Sequence, residues 1–74
     1  MFKLFYPSGK VFMTHNFGDD DFADFFSVEG KKIIFAVDTV IEIAEYCDED
    51  RAYEVYDQII NAYNRKKSFT LPLN

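Results

Sequence analysis

The stretch 48–66, DEDRAYEVYDQIINAYNRK, constrains the fold more than any other part of the chain. At helical spacing Ala52, Val55, Tyr56, Ile59 and Tyr63 fall close to one line, and Ile60 and Ala62 widen it into an apolar stripe. Glu54, Asp57, Gln58, Asn61, Asn64 and Arg65 fall on the opposite side. Asp48 is the natural N-cap, since its carboxylate accepts from first-turn N–H groups that have no partner inside the helix. Glu49 and Asp50 add negative charge at the positive end of the helix dipole, and Arg65, Lys66 and Lys67 add positive charge at the other. A helix of this kind must bury its stripe, so the rest of the chain must supply a surface to bury it against.

That surface reads as short strands. Residues 2–6 and 11–15 are aromatic or β-branched and predict a hairpin through Pro7, Ser8, Gly9 and Lys10. Residues 16–21 predict a loop, broken by Gly18 and carrying three consecutive Asp. Residues 22–28 predict a strand, with a short helical turn as the alternative, and Glu29-Gly30 suits a tight turn. The strongest strands are 31–37 and 40–46, joined at Asp38-Thr39 without the Gly that usually follows Asp in a two-residue hairpin. Alternation puts Ile41 and Ile43 under the helix and turns Glu42, Ala44 and Tyr46 away from it. Residues 68–71 form a short extended piece ended by Pro72, which suits an edge strand. The expected architecture is a single α+β domain over residues 1–74. It is an antiparallel β-meander of four to five strands covered by one C-terminal α-helix, with a short terminal edge strand.

A chain of 74 residues has a small interior, yet this one carries nine Phe and five Tyr. Some aromatics are therefore expected at the surface as contacts for a partner or a second copy, and self-association is expected with them. The net charge of −5 disfavours direct binding to nucleic acid or anionic membrane. No apolar run approaches the roughly 20 residues that span a bilayer. The N-terminus lacks a signal-peptide pattern, and one Cys cannot form an internal disulfide, so a cytoplasmic location is expected.

The last third of the chain carries a recognisable block: Glu45-Tyr46, Asp48-Glu49-Asp50, Arg51-Ala52, Glu54-Val55, Ile59-Ile60-Asn61-Ala62-Tyr63 and Leu71-Pro72. It resembles the C-terminal block of small uncharacterised proteins of Gram-positive bacteria and their phages. The resemblance implies a strand feeding an acidic cap, a helix ending in basic residues, and a closing strand at Pro. It also implies a phage or mobile-element setting, and it brings no activity with it.

Four groups of residues could carry chemistry. Cys47 stands before the helix N-terminus, where the dipole lowers a thiol pKa, and His15 is the only histidine that could activate it. Three acids directly after Cys47 oppose that effect, so a small apolar residue at a junction is the simpler reading. Asp19, Asp20, Asp21 and Asp24 offer oxygen ligands, but their spacing is not that of an EF-hand loop, and no metal is expected. Arg65, Lys66 and Lys67 would make a phosphate site if Lys31 and Lys32 joined them; otherwise they are the basic end of a helix. The acidic residues are the sharpest feature, because carboxylates on a rigid scaffold can occupy a basic groove on another protein.

The sequence thus predicts a non-enzymatic protein-binding module with no cofactor. In its sharp form it is a small acidic phage or mobile-element inhibitor of a host nucleic-acid-handling enzyme. The expected contact residues are Asp19, Asp20, Asp21 and Asp24 with Phe22 and Phe25, and then Glu54, Asp57 and Gln58 on the helix. Two alternatives belong to other classes: a homo-oligomer using Phe17, Phe22, Phe25, Phe26 or Tyr53, and a small thiol enzyme using Cys47.

Overall fold

The structure is a computed structural model that describes residues 1–18 and 21–73. Among the described residues the chain is an α+β fold of six strands and one α-helix, measuring 31 × 25 × 19 Å. In order it runs β1 (Phe2–Phe5), β2 (Val11–His15), a 3₁₀ turn (Phe22–Phe25), β3 (Phe26–Glu29), β4 (Lys32–Ala36), β5 (Val40–Glu45), α1 (Glu49–Asn64) and β6 (Phe69–Thr70).

The helix forms where its pattern demands. Asp48 caps it, its carboxylate accepting from the Arg51 N–H at 2.7 Å. Ala52, Val55, Ile59 and Tyr63 are buried, and Glu54, Asp57, Gln58, Asn61 and Asn64 are exposed. At its C-terminus the Lys67 N–H bonds to the Ala62 carbonyl and the Lys66 N–H to the Tyr63 carbonyl, with Lys66 at φ 60°. That pattern closes the last turn and reverses the chain toward β6.

The strands make two three-stranded sheets, ordered β2-β1-β6 and β3-β4-β5, where one meander was expected. The division falls at the 3₁₀ turn. Residues 22–28 are both of the elements considered for them, a helical turn over Phe22–Phe25 and a strand from Phe26. The terminal strand lies at an edge as expected, but it pairs parallel with β1, Leu4 opposite Phe69 and Phe5 opposite Thr70. The second sheet is an antiparallel meander. Its first turn is Gly30-Lys31, with Gly30 at φ 64°, and its second is the three-residue loop Val37, Asp38 and Thr39, longer than the sequence predicted.

A bulge in β5 corrects the expected facing. Ile33 pairs with Ala44 and Ile34 with Glu42, so Ile43 is the extra residue on its strand. The alternation shifts there. Ile43 is buried as expected, but Ala44 moves to the face of Ile33, and Tyr46, expected to point away, is buried in the core. Ile41 shares the inner face with its partner Phe35 yet stays 43% exposed, because α1 packs chiefly on β3 and β4 and stops short of this edge.

Five of the fourteen Phe and Tyr are buried, eight are half-buried and Tyr53 is exposed, so some do reach the surface as expected. Phe2 from β1 meets Phe22 at 5.6 Å and Tyr63 at 5.4 Å between ring centroids, both edge to face. Phe22 also meets Phe26 at 5.1 Å, and Phe26 meets Phe35 at 5.0 Å. One run of rings therefore joins β1, the 3₁₀ turn, β3, β4 and α1. Edge-to-face packing adds about 0.5–1.5 kcal/mol per pair beyond area burial. It makes one core of two small sheets.

Candidate functional site

The helix is long enough to separate the chain's charged groups. At about 1.5 Å per residue its two ends stand roughly 20 Å apart. Asp48, Glu49 and Asp50 mark the N-terminal end, and Tyr63 marks the last turn. Tyr63 packs tilted against Phe22 at 4.6 Å between ring centroids and donates its hydroxyl to the Asn16 carbonyl at 3.0 Å, which ties Asn16 and Phe22 to that far end. The acidic residues consequently form two groups.

The loop group was the first choice from sequence. Asp19 and Asp20 lie outside the described residues. Asp21 and Asp24 are exposed on either side of Phe22, and Phe25 is half-buried against Phe35. Phe22 is corrected: at 1% exposure, with His15 stacked on it at 4.2 Å, it anchors the loop and has no surface to offer a partner. Phe26 is buried too, so neither residue serves as an oligomer contact.

The second group is on α1. Glu49, Asp50, Tyr53, Glu54 and Asp57 are all exposed. Asp50 and Glu49 precede Tyr53 by three and four residues and Asp57 follows by four, so these carboxylates surround its ring on one face. Tyr53 is 48% exposed, while every other Phe and Tyr is buried or half-buried. Arg51 pairs with Glu54 and lies 5.9 Å over the Tyr46 ring, which offsets one carboxylate at the rim and leaves the centre of the face acidic. The sequence grouped Glu49 and Asp50 with Glu54 and Asp57 as a candidate negative patch, besides their dipole role, but read Tyr53 apart from them, as an oligomer contact. The signal that joins them is helical spacing from Tyr53.

The other candidates do not assemble. Cys47 is at the N-terminal end of α1, while His15 packs through Phe22 at the C-terminal end, roughly 20 Å away by helix length. The Lys31 carbonyl accepts from the Tyr46 N–H at 2.9 Å, so Lys31 also stands at the N-terminal end, far from Arg65, Lys66 and Lys67. Lys32 bridges Glu42 at 3.2 Å, and that hydrogen bond, with the charges of Glu42, Glu45 and Glu29, raises its pKa. Among the described residues no group of three or more His, Cys, Asp or Glu is placed to hold a metal ion, and no helix is long and apolar enough to cross a membrane.

No family model, no curated protein and no solved structure matches the chain.

Proposed function

We propose that the protein is a binding module that docks a basic partner protein through the outer face of α1. One observation carries this reading: Tyr53 is exposed on a rigid helix with Glu49, Asp50 and Asp57 around it. Tyr is among the residues that most often anchor interfaces, since it supplies a large rigid surface and a polar tip. Carboxylates around such an anchor steer a basic surface toward it and reject an acidic one. The loop residues Asp21 and Asp24, with Phe25, make a second acidic surface at the other end of the helix. In its sharper form the module is a phage or mobile-element inhibitor that fills the basic groove of a host nucleic-acid-handling enzyme.

The test is capture from a Gram-positive bacterial lysate at low and high salt, with the native chain and two variants. Tyr53→Ala is expected to abolish retention of the partner. Glu49→Gln, Asp50→Asn and Asp57→Asn together are expected to weaken it and flatten its salt dependence. A partner held equally by all three proteins would refute the helix-face assignment. If only Asp21→Asn and Asp24→Asn released it, the loop would be the contact.

A further inference from the structure

The open edge of the second sheet is a surface separate from the helix face. β5 has β4 on one side and, among the described residues, no sheet neighbour on the other. An edge strand presents a row of backbone donors and acceptors that another extended chain can pair with. Val40, Ile41 and Glu42 are exposed in succession, Val40 at 68%. Beyond them β5 becomes one wall of a cleft of about 390 Å³, where Ile43, Glu45 and Tyr46 face Tyr6, Pro7 and Leu73. The far wall comes from the turn after β1 and the tail after β6, so the cleft opens between the two sheets.

The register specifies what fits there. Ile41 lies on the inner face with Phe35, whereas Glu42 and Glu45 lie on the outer face, opposite Ile34 and Lys32. A strand added at the usual spacing of about 4.8 Å would alternate between these faces. Its inner side chains would meet Ile41 and Phe35, and its outer ones would meet Val40, Glu42 and Glu45. On that outer surface Lys31 and Lys32 stand among Glu29, Glu42 and Glu45, and Lys32 already pairs with Glu42, which leaves Glu45 at the edge for an incoming cation. We propose that the β5 edge and its cleft bind, by strand addition, an extended segment of a partner protein whose side chains alternate between apolar and Lys or Arg. A second copy would add carboxylates of the same sign to this edge, whereas a Lys- or Arg-bearing segment supplies the opposite charge. The bulge at Ile43 bends the edge, so pairing runs along Val40, Ile41 and Glu42 before the segment turns into the cleft.

The test uses the full chain and a short synthetic peptide of alternating valine and lysine. Its control has the same composition with the valines and lysines in separate blocks. Titration followed by amide chemical shifts is expected to move Val40, Ile41, Glu42 and Leu73 saturably. Ile41→Lys is expected to weaken binding about tenfold, from a lost apolar contact and an added like charge. Tyr53→Ala is expected to leave it unchanged, which separates this surface from the helix face. Three results would overturn the proposal: no saturable binding, equal binding of the block peptide, or shifts confined to α1. Sedimentation of the free protein adds a fourth, since a dimer split by Ile41→Lys would assign the edge to a second copy.

Discussion

Asp48 and Tyr46 sit two residues apart at the entrance to α1 and hold the junction in different ways. Asp48 accepts from the Arg51 N–H through its side chain and from the Ala52 N–H at 3.2 Å through its carbonyl. Asp48→Ala is expected to cost about 0.5–2 kcal/mol, read from the urea midpoint with an unchanged slope. An unaltered midpoint would mean that the cap contributes nothing. Tyr46 donates its hydroxyl to the Pro72 carbonyl at 3.2 Å, which pins the tail to the end of β5. Burial raises the Tyr46 pKa, and the nearby Arg51 charge only partly opposes it. The fold thus favours the neutral phenol. Its stabilisation is fully present below the unfolded value of about 10 and is lost as pH rises through the higher folded value. Tyr46→Phe should cost about 1 kcal/mol near neutrality through the lost hydrogen bond and should reduce the alkaline loss of stability. Denaturation of both proteins near neutrality and above about pH 10 checks this, and parallel alkaline losses would contradict it.

Among the elements, α1 was legible nearly to the residue because cap, stripe and charge all point to one helix. Its ending is less ideal than its start. Lys66 adopts φ 60°, which a residue with a Cβ enters at some cost. Lys66→Gly is therefore expected to stabilise the protein by up to about 1 kcal/mol, seen as a rise in Tm, and a fall would mean that the lysine side chain contributes more than the strain removes. The strands were legible as strands, since Val11–His15 and Val40–Glu45 have the composition and alternation of pleated chain. Their grouping was not. Nothing local in FADFF tells a strand from a 3₁₀ turn when Phe22 must reach Tyr63 and Phe26 must pair with Phe35. The Ile43 bulge escaped for the same reason, because Ile41 and Ile43 look alike until the register with Ile33 and Ile34 is known. The parallel pairing of Phe69 with Leu4 depends on where the helix delivers the chain.

In the whole molecule, two small sheets share one aromatic core, and α1 both covers that core and shows an acidic face outward. Of the Phe and Tyr whose number in the sequence pointed to an interface, Phe2, Phe22, Phe26 and Tyr63 are buried in ring packing, which removes Phe22 and Phe26 from the surface, while eight others are half-buried. That shifts weight from the Asp-rich loop to the helix, where Tyr53 stays outside. The candidate site was thus only partly legible: Glu54 and Asp57 were chosen from the wet side of the helix, but Tyr53 gained its place only once the other rings were accounted for. The most direct measurement is hydroxyl-radical footprinting of the captured complex, which reads the exposure of aromatic side chains. The account predicts that Tyr53 becomes severalfold less reactive in the complex while half-buried Phe25 is unchanged. Tyr53 oxidised as fast in the complex as in the free protein would contradict it.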